Sequence, residues 1–140
     1  MTLGRILALD LGKRRIGLAL SDELGVTAQG LETLQRTNTR EDLARLAKLA
    51  SENNVSLILM GNPLHMSGQE GRGTEHARDF GARLQAATGL PVQLWDERLT
   101  TVQAQRVLRE SGVSIEKRAK AVDRLAAVIL LESYLDSLPS

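Results

Sequence analysis

Cysteine is absent from this 140-residue sequence, which excludes a disulfide scaffold, a thiolate metal centre and a cysteine nucleophile. The absence is compatible with a reducing cytoplasm, the compartment expected for the protein. Aromatic residues are confined to Phe80, Trp95 and Tyr134. The core must therefore be Leu, Ile, Val and Ala, and no broad aromatic platform for stacking bases is expected. Neither sign of charge is in excess: 18 Lys and Arg face 17 Asp and Glu, a formal charge of +1. That balance gives no global attraction to nucleic acid and leaves local attraction open. No apolar run approaches the roughly 18 residues that suggest a membrane span. The first apolar run begins within a few residues, with no basic region, long apolar segment and cleavage site before it, so no targeting segment is expected. Repeats, low-complexity tracts and linkers are also lacking, and residues 1–140 are expected to form a single domain.

The patterning predicts alternating elements. Residues 5–9 read as a buried strand and 15–21 (RIGLALS) as its partner, joined through Leu11-Gly12-Lys13-Arg14. Gly12 is expected to adopt a backbone conformation that other residues resist. A third strand is placed around 31–34. A helix over 41–53 carries the stripe Leu43, Leu46, Ala47, Leu49 and Ala50, and a compact strand over 55–60 ends at Gly61-Asn62-Pro63. Ala77, Phe80, Leu84 and Ala87 form the expected buried side of a helix over 70–87, and a short strand follows at 92–95. Thr100 and Gln103 have capping-box spacing at the start of a further helix. The last helix, 115–135, is expected to bury Val122, Leu125, Ala126, Ile129 and Leu130. A hairpin followed by alternating helices and strands implies an α/β domain whose mixed sheet is covered by helices. Chemistry in such a sheet is expected near the carboxyl ends of the central strands.

Three acids stand in pointed contexts. Asp10 interrupts the first apolar run, a costly place for a carboxylate unless its oxygens serve a metal ion or solvent. Glu97 follows Trp95-Asp96, and strand alternation forbids Asp96 and Glu97 from facing the same way. Asp123 lies among small residues in the last helix, spaced to share a face with Lys120, Ala126, Ala127 and Leu130. Each has a plainer role open to it: accepting hydrogen bonds at a turn, capping a helix or pairing with Arg98, or pairing with Lys120 or Arg124. Several carboxylates gathered from distant elements are what Mg2+ or Mn2+ needs for phosphodiester cleavage, because these cations prefer oxygen ligands. Asn62, His65 and Ser67, in the loop after the 55–60 strand, are polar groups able to position phosphate or water. Basic residues cluster at Lys13, Arg14 and Arg15, and again at Arg109, Lys117, Arg118, Lys120 and Arg124. The spacing of His65 and His76 matches no zinc site, and Walker, dinucleotide and serine-elbow motifs are absent.

Four motifs together resemble the YqgF family of bacterial ribonuclease H-like proteins: ALDLGKRRIGLALSD at 8–22, GNPLHMSGQEG at 61–71, DERLTT at 96–101 and VDRLAAVILLESYL at 122–135. The resemblance implies a ribonuclease H-like fold, a five-stranded mixed sheet of order 3-2-1-4-5 with helices on both faces. It carries the family's acidic, metal-binding site onto Asp10, Glu97 and Asp123, leaving Asp96 beside it, and gives Arg98 a role at phosphate or at a neighbouring acid. Family members are described as nucleases processing the 5′ end of pre-16S ribosomal RNA and as Holliday-junction resolvases acting on branched DNA. The first activity implies a structured-RNA or pre-ribosomal partner. A homodimer is compatible with both and needed for the second. One departure stands out. The usual GLPLNMDG reads GNPLHMSG here, with Asn62, His65 and Ser67 at the first leucine, asparagine and aspartate positions. A non-catalytic ribosome-assembly factor and an ATP-binding protein of the actin-like type compete with the nuclease reading. The second lacks a second lobe and a second phosphate motif.

Overall fold

The computed structural model describes residues 4–62, 72–96 and 115–138. Five strands, β1 (Arg5–Leu11), β2 (Arg15–Ser21), β3 (Ala28–Gln35), β4 (Val55–Asn62) and β5 (Val92–Asp96), form one sheet of order β3-β2-β1-β4-β5. The β1–β2 and β2–β3 pairs are antiparallel, whereas β1–β4 and β4–β5 are parallel. Helices α1 (Thr39–Glu52), α2 (Arg72–Thr88) and α3 (Ile115–Ser137) are also described. The mixed sheet, its strand order and its flanking helices agree with the sequence expectation.

β1 is covered on both faces, which is why it reads as a continuous apolar run. Leu7 and Leu9 pack with Ile16, Leu18, Leu46, Phe80 and Leu84 beneath α1 and α2. Ile6 and Ala8, pointing the other way, pack with Ala19, Leu59, Ala127, Leu130 and Leu131 beneath α3. A row of small residues crosses the sheet under α3: Ala8 opposes Ala19, and Ala19 opposes Gly30. A Cβ added to Gly30 would stand 2.7 Å from Cγ of Arg124. Small residues on both surfaces thus let the helix lie close to the sheet.

Several boundaries and faces differ from expectation. β1 and β4 each run two residues further, because the ladder with β2 continues past Leu9 to Leu11 and the ladder with β5 continues past Met60 to Asn62. β3 spans eight residues rather than four. Among the described side chains of α3 the buried ones are Ala126, Ala127, Leu130, Leu131 and Tyr134, while Leu125 and Ile129 are only half-buried and the Val122 side chain lies outside the described residues. The helix is rotated so that alanines meet the small-residue row and Leu130 and Leu131 fill the space beyond, each worth about 1.5–3 kcal/mol when fully buried. Ala87 is exposed, past the end of the α2 stripe formed by Ala77, Phe80 and Leu84.

The β2–β3 connection is held by Asp22. Its carboxylate accepts from the backbone N–H of Val26 (2.7 Å) and Thr27 (3.0 Å), and these bonds hold its pKa below the ordinary 3.8. A depressed carboxylate contributes stability above its unfolded pKa and loses it as the folded group protonates. The stabilisation is therefore complete above about pH 4 and disappears as pH falls below that value. Melting curves of Asp22→Ala and the parent protein should differ most near neutrality and converge in acid. A gap that stays constant with pH would contradict this account.

Candidate active site

Asp10 occupies the penultimate position of β1, half-buried and paired with Gly17 of β2. Strand alternation puts it on the same face as Ile6 and Ala8, the face covered by α3. Its partner carries no side chain. On the other side the β1–β4 register ends at Leu9 opposite Met60, and one further step sets Asp10 level with Gly61, also a glycine. Asp10 is thus fixed by a central strand between two positions that leave room beside it.

The chain leaves β1 through a tight turn in which the Gly12 N–H donates to the Arg15 carbonyl at 3.0 Å. A Cβ on Gly12 would stand 2.6 Å from that oxygen, so close approach, rather than an unusual φ, is what requires glycine here. The turn presents Lys13 and Arg14 to solvent, with Arg15 half-buried.

β4 and β5 end at the same edge as β1. Asn62 opposes Asp96, the last residue of β5, and Gly61 opposes Trp95. The short edge strand β5 is tied to α3 by two of the chain's three aromatics. The Trp95 and Tyr134 rings meet edge-to-face at 5.2 Å and 88°, and Trp95 Nε1 donates to Ser133 Oγ at 3.2 Å. These contacts hold the end of β5 against α3.

Of the expected site residues, the structure brings Asp10, the Lys13–Arg15 turn and the backbone of Asn62 to one end of the sheet. Glu97, Arg98 and His65 lie outside the described residues, as do Ser67, Thr100, Thr101, Arg109 and the helix expected from Thr100. Asp123, Lys117, Arg118 and Lys120 belong to the backbone of α3. Arg124, beside Asp123 in sequence, has its stem against Gly30 of β3. Among the described side chains, which include neither Glu97 nor Asp123, no three His, Asp or Glu gather as a metal site. His76 is exposed on α2.

Sequence reasoning missed Arg36 and Asp42. Asp42 is fully buried in the first turn of α1, and its carboxylate accepts from Arg36 Nε at 3.0 Å and from the Thr37 N–H at 3.1 Å. Arg36 Nη1 donates to the Gly12 carbonyl at 3.0 Å, and the Arg36 backbone N–H donates to the Arg14 carbonyl at 2.9 Å. The guanidinium lies over the Phe80 ring, 5.5 Å from its centre. A legible signal lay in Asn38, whose side chain caps α1 by accepting from the Glu41 N–H. That cap puts Asp42 within the helix's first turn.

A mixed sheet of this order, covered on both faces, is a ribonuclease H-like fold, and Asp10 stands near the end of its central strand. The chain belongs to the RuvX family, whose model, described as Holliday junction resolvase, matches residues 4–137. A protein of Koribacter versatilis (strain Ellin345) named "Putative pre-16S rRNA nuclease" is 56% identical over 133 residues, covering 95% of this chain and 87% of that one. Fowlpox virus resolvase, solved with Holliday junction DNA, superposes with a TM-score of 0.59 at 16% identity, over 97% of this chain and 99% of that one. Thermus thermophilus RuvC, also solved with a Holliday junction, gives 0.54 at 14% identity, over 94% of each chain. At those identities the likeness to the solved structures is one of fold. The sequence-level kinship makes the chain a nuclease. Among its described residues no helix is long and apolar enough to cross a membrane.

Proposed function

We propose that the protein is a metal-dependent endonuclease that processes the 5′ end of pre-16S ribosomal RNA, with Asp10, Glu97 and Asp123 as its acidic site. The observation that carries this reading is Asp10 itself, held in a central strand with glycine at its ladder partner. Three further facts support it. Glu97 directly follows the last residue of β5, two strands from β1, or about 10 Å across the sheet. Asp123 precedes Ala127 by one helical turn in α3, which packs on the face Asp10 shares. The Koribacter versatilis relative, 56% identical, carries the pre-16S rRNA name.

Carboxylate oxygens and the room beside Asp10 suit Mg2+ or Mn2+, which Asp10, Glu97 and Asp123 would hold. When bound, such an ion supplies charge neutralisation at the phosphate and activation of water. The chain's own groups do the rest. Asp10 is kept rigid by the β1 ladder, so its oxygens need little reordering when substrate arrives. Lys13 and Arg14 offset the negative acids and draw the phosphate backbone toward them. Arg15, Asn62, His65, Arg98, Lys117, Arg118 and Lys120 complete the proposed nucleic-acid surface. Work on precursor RNA implies a cytoplasmic, pre-ribosomal setting.

The family's description favours a second substrate, branched DNA. One preparation should be tested with Mg2+ on a 5′-extended 16S precursor fragment and on a four-way DNA junction. Preferential cleavage of the RNA is expected. Paired, symmetric cuts in the junction by a dimer, with the RNA intact, would transfer the assignment to resolvase.

A further inference from the structure

We propose that Arg36 is a positioning residue that holds the basic β1–β2 turn in register with Asp10 for nucleic-acid binding. The inference rests on the nucleic-acid reading above and deepens it. Asp10 and the turn leave β1 together, since Gly12 is only two residues beyond the acid. Inside the turn, the Gly12 N–H to Arg15 carbonyl bond closes the loop but does not orient it against the rest of the molecule. Arg36 does so twice. Its Nη1 takes the Gly12 carbonyl and its backbone N–H takes the Arg14 carbonyl, so both ends of the exposed Lys13-Arg14 segment are attached to one residue.

That residue is itself immobilised. Its side chain is mostly buried, at 13% exposure, with the guanidinium paired with the fully buried Asp42 at 3.0 Å and lying over Phe80. The guanidinium fork suits this arrangement, since Nε serves the carboxylate while Nη1 serves the carbonyl. Lysine offers a point charge on a flexible stem and would keep the pair with Asp42 at the expense of the Gly12 bond. A rigid turn presents its cations without first paying to order them, so loosening it weakens phosphate contacts while every cation remains in the sequence.

The test is equilibrium binding of a fluorescein-labelled 5′-precursor 16S RNA fragment, without divalent cations, over a range of salt. Arg36→Lys should bind about threefold to tenfold more weakly, the scale of one phosphate contact, and its log-log salt slope should fall by about 1. Arg14→Ala should show a similar loss, and the double variant should be little worse than either single, because both remove the same contact. A structural role unconnected with the turn would leave the slope unchanged and make the losses multiply. Should Arg36→Lys fail to fold, Arg36→Met with Asp42→Leu removes both buried charges together and must show the same weakened binding and shallower slope. Binding equal to that of the parent in these variants, or multiplicative losses with Arg14→Ala, would overturn the proposal alone. A parent protein that binds neither this RNA nor a four-way junction would overturn the functional reading, and this proposal with it.

Discussion

Asp42→Ala is expected to destabilise the protein by about 3–5 kcal/mol, the range for removing one partner of a buried ion pair. The reason is what remains. Arg36 keeps its charge beneath α1 and against Phe80, with its carboxylate partner gone, and the Thr37 N–H loses its acceptor. For a chain of 140 residues a loss of that size lowers the midpoint by roughly 10–15 °C. By contrast, Lys48–Glu52 and Arg83–Asp79 are exposed (i, i+4) pairs worth a few tenths of a kcal/mol each. Replacing either should be nearly silent. Arg36→Met with Asp42→Leu should recover much of the stability that Asp42→Ala loses, because no charge is left buried. Thermal and urea unfolding of the set decides the matter. An Asp42→Ala midpoint within a degree or two of the parent would show that the pair carries no such weight.

The sheet was legible because its core strands are apolar on both faces, so β1, β2 and β4 stand out as runs flanked by glycine and polar residues. The edge strand β3 was legible only in part. Its outward residues Gln29, Glu32 and Gln35 interrupt the pattern, and Gly30 is there to admit α3, a cause visible only once the helix is in place. Helix faces failed where packing partners decide the outcome. In α3, the expected and observed apolar stripes lie about 100° apart, the rotation of one residue, and the Ala8-Ala19-Gly30 row selects the one with both alanines. Asp10 was legible because a carboxylate within a buried run is physically expensive. Arg36 and Asp42 were not. An arginine and an aspartate six apart across a helix cap look like ordinary surface charge until folding buries them. The same rule that made Asp10 conspicuous applies to Asp42, but Asp42 has polar neighbours in sequence and so carries no such contrast.

Asp10→Asn should lower the metal-supported cleavage rate by about 1,000-fold, equivalent to roughly 4 kcal/mol of lost transition-state stabilisation. Asparagine matches aspartate in shape, and position 10 is half-buried beside glycine in the ladder, so the β1–β2 pairing has no reason to change. The melting temperature should stay within about 2 °C of the parent. What changes is charge. One carboxylate oxygen becomes an amide nitrogen, which cannot ligate Mg2+ or Mn2+, and the proposed acidic site loses a third of its charge. RNA binding without divalent cations should be equal or tighter, because a negative group near the phosphate backbone has been removed. Catalysis and binding therefore move apart in this variant, whereas in Arg36→Lys binding weakens and its salt dependence changes. Glu97→Gln and Asp123→Asn should behave like Asp10→Asn if the three acids act together. The decisive measurement is single-turnover cleavage of the precursor RNA at saturating enzyme, with Mn2+ titrated at each variant. Undiminished cleavage by Asp10→Asn would remove Asp10 from the mechanism, and a loss fully restored by raised Mn2+ would make its role one of metal affinity alone.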